Sequence, residues 1–300
     1  MFVINEPQKL QLLYESLEKS IPESFKVYGA IFNIINKNPF NLEVLVDAWP
    51  DYQIVITRPK KEEMTDDLDH YTNTYHIFTK APDNLEEILA CSQVINWEQA
   101  FQIQGCQEDL NETIRKVSAS KSVQVDYTRT MLFSLGTPLE FKTLSNGKEN
   151  LTQMFKLSKV DEASREENVS SVFLDTSHAR LVNEPWKFGK NERSLKYVER
   201  CLQNFPAFGV LGPEGLPVSW VVMEQSCELR MGYTVPKYRQ QGNMELIYHH
   251  VREYLIQKKI PFYFHVAGSK EIIVQKLISF GFKSHPCGWH QWKCNPKKYC

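Results

Sequence analysis

A short polar stretch, YRQQGN at residues 238–243, has the residue types and spacing of an anion site. It follows an alternating apolar run, CELRMGYTV at 227–235, and precedes an amphipathic stretch, NMELIYHHVREYLIQKKI at 243–260. A helix N-terminus carries unpaired backbone N–H groups and a partial positive charge, and a preceding glycine lets an anion approach the backbone. Arg239 adds a positive side chain. The stretch predicts a phosphate site, with a plain strand-to-helix turn at a glycine as the alternative reading.

The segments around this loop alternate between strand and helix patterns. Leu195, Val198 and Leu202 fall on one face of a predicted helix that Asn191 could cap. Two apolar runs separated by Pro-Glu-Gly predict a hairpin, and the run at 227–235 predicts its third strand. The remaining predicted elements are a helix at 243–260, a strand at 261–267, a helix at 269–280 and a strand at 287–294. This order predicts an α/β fold with a mixed sheet.

The N-terminal part of the chain also predicts both kinds of element. β-branched or aromatic runs bounded by Pro and Asn are typical of strands, and apolar residues at helical spacing are typical of helices. The charged stretch 60–69 has no apolar period and predicts a solvated loop or the start of a helix. The predicted strands are 25–35, 53–59, 75–79, 101–105 and 122–133, and the predicted helices are 7–21 and 107–117.

A change of composition divides the chain. Residues 136–170 are polar and poor in aromatic side chains, which predicts a linker between an α/β domain at 1–135 and a second domain at 171–300. The stretch 101–133 predicts strand, helix, strand, as does the stretch 261–294. The N-terminal half can therefore be a decayed copy of the C-terminal fold.

Composition and charge exclude several classes of function. The chain has 300 residues, 42% hydrophobic residues and a net charge of −1, so it predicts a globular protein without a field that attracts nucleic acid. The sequence has no run of about 18 apolar residues, so no membrane-spanning helix is predicted. Helix 7–21 could make peripheral membrane contact, but its charge is not basic and core packing is favoured. Seven scattered cysteines without metal spacing predict reduced thiols.

Several other side chains could bind a metal or a ligand, but we expect them to have structural roles. An acidic and histidine-bearing stretch at 66–76 has ligand types but no tight zinc or calcium pattern, so we expect a solvated loop, no metal and no tightly bound cofactor. His265 lies on a predicted strand and is interpreted as a hydrogen-bonded core histidine, with a place facing the ligand site as the alternative. Trp289 and Trp292 are expected to pack the last strand.

Several long stretches carry a family resemblance. The order of elements from 172 to 294, with YRQQGN after the third strand and ISFGF before the last, resembles the GNAT superfamily of acyl-CoA-dependent N-acyltransferases. More narrowly, nearly the whole chain resembles the glycine N-acyltransferases. The stretches that carry this likeness are NPFNLEVLVDAWPDY (38–52), DDLDHYTNTY (66–75), GKNERS (189–194), ERCLQNFP (199–206), LGPEG (211–215) and WHQW (289–292).

The resemblance implies an acyl-CoA site at the loop. In the superfamily the loop reads Gln/Arg-x-x-Gly-x-Gly/Ala and holds the coenzyme A diphosphate. Arg239 and Gly242 match, whereas Met244 stands where the family has Gly or Ala, so local packing must tolerate a larger side chain. The preceding strand end is implied to meet the pantetheine amides. The residues implied to bind acyl-CoA are Tyr233, Thr234, Val235, Arg239, Gln240, Gln241, Gly242, Asn243 and Met244.

The resemblance also implies that Glu228 is the general base. An amine attacks a thioester only when deprotonated, and a positioned carboxylate that accepts its proton, directly or through water, gives ~10²–10⁴-fold in rate. Strand alternation predicts Glu228, Arg230, Gly232 and Thr234 on one face, with Gly232 leaving space for the thioester. The alternative for Glu228 is a surface or cross-strand ion pair with Arg230.

Two further roles concern the acceptor and the thioester oxygen, and no general acid is assigned. Arg230 could bind the glycine carboxylate, with a sheet-surface salt bridge as the alternative. The backbone N–H near Val235 is implied to donate to the thioester oxygen as it becomes negative. Many relatives carry an Asn and a Tyr in the penultimate helix where this chain has Lys270 and Leu277. A thiol has a pKa of ~8.5, so a thiolate can leave without a dedicated acid. No general acid is therefore assigned.

Three functions compete. The favoured one is a monomeric acyl-CoA:glycine N-acyltransferase that uses medium or long acyl chains, with acyl-CoA and glycine as its partners. The others are the same fold with another acceptor such as glutamine, and a non-catalytic acyl-CoA-binding protein. The resemblance and the KKYC ending, which is similar to a dilysine retrieval signal, predict the endoplasmic reticulum, with cytoplasm and mitochondrion as alternatives.

Overall fold

The computed structural model describes residues 1–81, 83–135 and 171–300. The predicted linker at 136–170 lies outside these residues. By their contacts the described residues form two compact units, one made of 1–135, 225–228 and 263–300, and the other made of 171–224 and 229–262. The predicted division at 135 and 170 stays a prediction of domain boundaries. The segment 263–300 groups with the N-terminal residues because its strands pair with β5 (Phe101–Gly105) and β6 (Val123–Ser134), and the segment 225–228 groups there through its contacts with helix α2 (Phe25–Ile35).

The first unit contains an eight-stranded mixed sheet. Its order is β1-β2-β3-β4-β5-β12-β6-β11, and the pairs within it are antiparallel except for β4 with β5, which are parallel. The strands are β1 (Phe2–Ile4), β2 (Leu42–Val46), β3 (Ile54–Pro59), β4 (Thr74–Thr79), β5 (Phe101–Gly105), β6 (Val123–Ser134), β11 (Phe264–Val266) and β12 (Lys283–Pro296).

Helices cover both faces of this sheet. They are α1 (Pro7–Glu18), α2 (Phe25–Ile35), α3 (Leu85–Ala90), α4 (Leu110–Ser120) and α8 (Glu271–Ser279). Successive side chains of a strand point to opposite faces, so Val44 and Val46 pack with α1 and α2, whereas Leu45 packs with α3 and α4. The two faces therefore hold separate hydrophobic cores.

Two strand-helix-strand segments interleave in the middle of the sheet. β5, α4 and β6 come from the N-terminal part, and β11, α8 and β12 come from the C-terminal part. Strand β12 lies between β5 and β6, while β6 lies between β12 and β11. Each segment thus places one strand between the two strands of the other, which explains why residues 263–300 belong to the first unit. The internal copy stays a prediction.

The prediction of a strand at 25–35 is wrong, because this segment is helix α2. Every residue from Phe25 to Ile31 is buried, so no solvent-exposed polar face marks this part of the helix in the sequence. A short apolar run rich in β-branched and aromatic residues cannot be assigned by periodicity alone. Burial on all sides outweighed the strand propensity of these side chains.

The second unit contains a four-stranded antiparallel sheet in the order β10-β9-β8-β7. Asn191 caps α6 as predicted, because its side chain accepts the Ser194 N–H at 2.9 Å. The elements are β7 (Ser171–Phe173), α5 (Ala179–Asn183), α6 (Glu192–Asn204), β8 (Ala207–Leu211), β9 (Pro217–Met223), β10 (Leu229–Thr234) and α7 (Asn243–Gln257). α7 packs on β8 and β9.

Most of the other predicted elements are confirmed with shifted ends. The predicted helices at 7–21, 107–117, 243–260 and 269–280 correspond to α1, α4, α7 and α8, and the predicted hairpin is β8 and β9. Strands β1 and β2 and helix α3 were not predicted. Within the part of the chain that is described, no helix is long and apolar enough to cross a membrane.

Candidate active site

The segment Gln225–Glu228 is held against one face of helix α2. Lys26, Gly29 and Asn33 lie at positions i, i+3 and i+7 of that helix, which places them on the same side. Asn33 donates its side-chain N–H to the Gln225 carbonyl at 2.9 Å, and a Cβ at Gly29 would overlap the Ser226 carbonyl. The missing side chain at Gly29 therefore lets the segment lie directly on the helix.

Glu228 is fully buried at the end of this segment. Its Oε2 accepts from the Lys26 ammonium and, at 3.2 Å, from the Trp289 indole N–H, while its Oε1 contacts His265 Nδ1. A parallel bridge also joins the backbone of Glu228 to Tyr263. Helix α2, the β11 region and β12 thus converge on a single carboxylate.

Lys26 is as deeply buried as the carboxylate that it contacts. It also donates to Ser226 Oγ at 3.2 Å, and its ammonium lies 5.7 Å from the ring centres of both Tyr263 and Trp289. Ser226 Oγ and the Tyr263 hydroxyl are 2.8 Å apart. Buried charges persist only when they are paired and hydrogen-bonded, and this network meets both conditions.

His265 completes the cluster on the more exposed side. About 16% of its side chain is exposed, against none of the Glu228 side chain. Its ring stacks on Trp289 with the centres 3.8 Å apart and the planes 16° apart. His265 is hydrogen-bonded as expected, but it is partly exposed and is not a core residue. Trp289 binds the carboxylate besides packing β12.

The reading of Glu228 as a surface ion pair is wrong, since its carboxylate is buried and contacts Lys26. Sequence reasoning missed Lys26, because the prediction of a strand at 25–35 gives its lysine no buried partner. One signal could have found it. Lys26 is the single charged residue within the apolar run FKVYGAIFNII, and a buried ammonium requires a partner.

The predicted anion loop lies in the second unit, where β10 is joined to α7. Gly242 immediately precedes α7 with a φ of 77°, and Gln240 has a φ of 62°. No side chain caps the helix at Gly242. A helix N-terminus without a side-chain cap keeps backbone N–H groups for an anion. The loop therefore has the backbone geometry that the sequence predicted.

Side chains of the loop hold its shape. Asn243 donates to the Tyr238 carbonyl at 2.9 Å, and Gln241 donates to the Lys237 carbonyl at 3.0 Å. The exposed Arg239 donates to the Thr234 carbonyl at 3.0 Å, with its guanidinium 5.5 Å from the Tyr233 ring centre. Met244, the departure from the family pattern, is half-buried in the first turn of α7. The larger side chain is accommodated without interrupting the helix.

The predicted alternation along β10 is wrong because the strand is interrupted. Arg230 pairs with Val222 and Tyr233 pairs with Trp220, so three steps on β10 match two on β9, and Met231 has a φ of 58°. Such a bulge reverses the faces beyond it. Arg230 therefore shares a face with Tyr233 and not with Thr234.

The backbone donor was predicted near Val235, and the Val235 N–H itself is not available for that role. The N–H of Val235 donates to the Val218 carbonyl at 2.9 Å. That bond continues the β9–β10 pairing past the end of β10, so the sheet already uses the N–H that was assigned to the thioester oxygen.

Arg230 is buried beside aromatic side chains of the second unit. Its guanidinium lies 5.8 Å from the Trp186 ring centre. Burial raises the pKa of Tyr197 well above its ordinary value, aided by Cys201 and Glu224, while the nearby Arg230 charge opposes the rise. Arg230 is thus not on an exposed sheet surface, which removes the surface salt bridge as its alternative reading.

No group of three His, Cys, Asp or Glu side chains in residues 1–81, 83–135 and 171–300 could hold a metal ion. All seven cysteines are free. The chemistry available in the two units comes from a buried carboxylate hydrogen-bonded to a histidine, and from a helix N-terminus that can bind an anion.

Comparison with known families identifies the class of protein. Residues 1–206 match the model of the aralkyl acyl-CoA:amino acid N-acyltransferases, and residues 208–296 match the model of their C-terminal region. The chain belongs to this family. It is an acyl-CoA-dependent N-acyltransferase, and acyl-CoA as co-substrate and an amino acid as acceptor fit the family.

Curated relatives of the family cover the whole chain. Human glycine N-acyltransferase-like protein 2 is 69% identical over 300 residues, which is 100% of both chains. Bovine glycine N-phenylacetyltransferase is 44% identical and covers 99% of this chain and 100% of its own. Mouse glycine N-acyltransferase is 42% identical over 96% of this chain and 97% of its own.

Solved structures confirm the fold. A Drosophila protein aligns over 98% of both chains with a TM-score of 0.74 at 13% identity. A GCN5-related N-acetyltransferase from Kribbella flavida aligns over 89% of this chain and 95% of its own, with a TM-score of 0.50 at 11% identity. The predicted GNAT-type fold with mixed sheets is therefore confirmed.

The buried Lys26–Glu228 pair predicts an asymmetric effect on stability. Lys26→Met should lower the free energy of unfolding by about 3–5 kcal/mol, because it leaves the carboxylate buried without its ammonium. Urea denaturation measures the loss, and Lys26→Met with Glu228→Gln should be less destabilised than Lys26→Met alone. Lys116→Met, which breaks an exposed pair with Glu86 in the same unit, should leave stability nearly unchanged. Equal losses at positions 26 and 116 would contradict this account.

Proposed function

We propose that the chain transfers a medium- or long-chain acyl group from acyl-CoA to the amine of glycine, giving an N-acylglycine and free CoA. The observation that carries this proposal is the full-length identity of 69% to human glycine N-acyltransferase-like protein 2. Mouse and bovine relatives whose names specify glycine point to the same acceptor. The acyl-chain length follows from the resemblance alone.

Proton removal is the chemical step that needs the protein. Glycine's amine is largely protonated at neutral pH and becomes a nucleophile only after it loses a proton. We assign the general-base function to Glu228, as the family resemblance implies. Because the Glu228 carboxylate is buried, a proton taken from glycine reaches it only through a neighbouring group.

In this proposal the acyl donor, acyl-CoA, binds at the loop before α7. The diphosphate of coenzyme A would bind the backbone N–H groups at the start of α7, with Arg239 adding positive charge. The pantetheine would run along the end of β10 at Tyr233 and Thr234. The leaving CoA thiolate needs no dedicated acid, since a thiol with a pKa near ~8.5 is a good leaving group.

The main test measures product formation with oleoyl-CoA and glycine. Wild-type protein should form N-oleoylglycine, detected by mass spectrometry, and release CoA thiol only when glycine is present. Thiol assays need blanks without substrate, because Cys91 and Cys300 are exposed and react with the reagent. Glu228→Gln should lower turnover at least tenfold near neutral pH, with recovery at high pH where glycine is already deprotonated.

The control is the same kind of substitution, glutamate to glutamine, at a different position of the first unit. Glu43 is an ion-paired carboxylate that contacts Arg58 at 2.8 Å, so Glu43→Gln removes a comparable charge in the same unit. It should leave turnover unchanged. Thiol release that requires glutamine and does not respond to glycine would replace glycine with glutamine as the acceptor. Equal loss in Glu43→Gln and Glu228→Gln would remove Glu228 from the mechanism.

The loop generates a separate prediction about affinity. Gly242→Ala should weaken the binding of CoA itself, because an alanine at a φ of 77° is strained by about 1–2 kcal/mol and the loop relaxes away from its anion-binding shape. Isothermal titration with CoA measures the change. Gly215→Ala is the matched control, since Gly215 has a φ of 74° in the β8–β9 turn. Similar losses of affinity in both variants would count against the loop.

We retain Arg230 as the residue that binds the carboxylate of glycine. Its buried guanidinium is of the kind that recognises a small anionic acceptor. Arg230→Gln should raise the KM for glycine at least tenfold while leaving the KM for oleoyl-CoA within about twofold. Steady-state kinetics with each substrate varied in turn provides the measurement. An unchanged KM for glycine would reassign Arg230 to packing against Trp186.

The endoplasmic-reticulum location, the monomeric state and peripheral membrane contact stay predictions. The location rests on the resemblance and on the two lysines of KKYC, of which Lys298 contacts Glu98 at 2.8 Å.

A further inference from the structure

We propose that Lys26 is a positioning residue for the general base, which keeps the buried Glu228 carboxylate ionised and in place for each turnover. The inference rests on the proposed function and deepens it, because it gives a residue of helix α2 a role in the base step. It is carried by the contact between the Lys26 ammonium and Glu228 Oε2, by the burial of both side chains, and by the attachment of α2 to the segment that bears Glu228.

Burial by itself would disable a carboxylate as a base. It takes water away from the charged form, so it raises the pKa of a carboxyl group, by up to about three to five pH units where burial is complete. The Glu228 side chain is completely buried. A carboxyl group that is already protonated at neutral pH cannot accept the proton of an amine. A general base at this position therefore needs a neighbouring positive charge that offsets its burial.

Lys26 supplies such a charge. The Glu228 carboxylate accepts from Lys26 and Trp289 at Oε2 and contacts His265 at Oε1. Of these three side chains, Lys26 and His265 can be positively charged. An imidazole ordinarily changes its charge between pH 5 and pH 8, so a histidine gives no constant charge near neutral pH. An ammonium group beside a carboxylate favours the ionised carboxylate.

Helix α2 is attached to the surroundings of Glu228 on both sides of Lys26. Before the lysine, the Phe25 ring stacks on Tyr263 with the ring centres 4.7 Å apart. After it, Asn33 donates to the Gln225 carbonyl at 2.9 Å. These contacts hold the backbone that carries Lys26, so the contact between ammonium and carboxylate is set by the fold and does not depend on one flexible side chain.

Stability alone does not account for a buried lysine at this position. A buried ion pair contributes little net stability, because the desolvation of two charges offsets their attraction, and apolar residues of similar size often replace such a pair without loss. Lys26 is the one charged residue among the buried residues Phe25–Ile31. Ionisable pairs of this kind concentrate at functional sites, where a charge serves to keep a second group in its working protonation state.

Other titratable groups near the pair come from the strands of the same sheet. They are Cys106 after β5, Tyr263 before β11, His265 on β11, and His285 and Cys287 on β12. Burial raises the pKa of the Cys106 thiol well above its ordinary value, with a further rise from Cys287 and a smaller opposite effect from Lys26. Burial also raises the pKa of Cys287 to about 12. Both thiols are therefore neutral near pH 7, and neither supplies the charge that Glu228 needs.

Lys26 keeps its own protons while the reaction proceeds. One proton passes from the glycine ammonium through a neighbouring group to Glu228, and the freed lone pair attacks the thioester carbonyl carbon. The carbon–sulfur bond breaks with its electron pair on the CoA sulfur, and the thiolate takes the second proton of the nitrogen. Glu228 then returns its proton to solvent, because the neighbouring ammonium favours the ionised form.

The first test compares the pH dependence of kcat in Lys26→Gln and Lys26→Arg at saturating glycine and oleoyl-CoA. Lys26→Gln removes the charge and keeps an N–H donor, so the limb on which kcat rises with pH should move up by roughly one to three pH units. Below the limb kcat then falls about tenfold for each pH unit of this change, and at high pH it returns to the wild-type value. Lys26→Arg keeps the charge, and its limb should stay within about half a pH unit of wild type.

Arg58→Gln is the matched control. Arg58 is a buried cation of the same unit that contacts a different carboxylate, Glu43, at 2.8 Å and donates to two backbone carbonyls. Its replacement should lower stability without moving the limb. A limb that moves equally in Arg58→Gln and Lys26→Gln would trace the change to lost stability and would overturn the inference.

The second test does not depend on turnover. Urea denaturation compares the stability of wild type and Lys26→Gln between about pH 5 and about pH 8. In Lys26→Gln the native state binds the Glu228 proton more tightly than the unfolded chain does. The variant therefore loses stability as pH rises from the unfolded-state pKa of glutamate, ~4.3, to the raised native pKa, and the loss is constant above it. Adding Glu228→Gln removes the titrating group and should remove this pH dependence.

Several outcomes would overturn the inference. A kcat for Lys26→Gln that falls by the same factor at every pH, with a stability loss that does not change with pH, would give Lys26 a structural role only. A limb that moves as far in Lys26→Arg as in Lys26→Gln would exclude the charge as the cause. If Lys26→Gln is unfolded at neutral pH, the inference requires it to fold near about pH 5, where its Glu228 is protonated. A variant unfolded at both values would overturn it.

Failure of the proposed function gives a different result. Wild-type protein that forms no N-oleoylglycine would overturn the proposed function and the catalytic role of Lys26 together, before any variant is compared. Wild-type protein that forms the product while Lys26→Gln leaves the limb unmoved would overturn this inference alone.

Discussion

The buried contact between Lys26 and Glu228 is the interaction on which the rest of the site depends. Residues far apart in the chain, one on helix α2 and one just before strand β10, neutralise each other away from water. Neither charge could be buried alone without a cost of several kcal/mol, so each requires the other. The position of the carboxylate is therefore set by the N-terminal residues as much as by the segment that carries it.

This dependence gives the N-terminal residues a function beyond bracing the fold. Helix α2 supplies Lys26 as the partner of Glu228, Gly29 as the point of close approach and Asn33 as a donor to Gln225. The interleaved β5, β12, β6 and β11 then bring His265 and Trp289 to the same carboxylate. The acid–base cluster can form only when both ends of the chain have folded into one sheet. A domain cut from residue 171 onward would lack Lys26 and half of these strands.

Glu228 and the loop before α7 differ in their exposure to solvent. The carboxylate is removed from water and satisfied by protein donors, which fixes its orientation and that of His265. The loop leaves its backbone N–H groups without a side-chain cap and keeps Arg239 exposed. A buried carboxylate benefits from rigidity, whereas a loop that binds and releases a charged ligand needs access to solvent.

The amino-acid sequence by itself determined the family, the GNAT-type fold, most of the elements and the loop with its glycine, because these depend on local patterns. The left-handed backbone at Gly242, the cap at Asn191 and the hairpin of β8 and β9 all follow from residues close in the chain. The tertiary structure alone decided the rest. It made 25–35 a helix in which Phe25 to Ile31 are all buried, reversed the faces of β10 with a bulge at Met231, and used the Val235 N–H within the sheet. It also joined Lys26, Glu228 and His265, since pairing across some 200 residues leaves no periodic trace in the sequence.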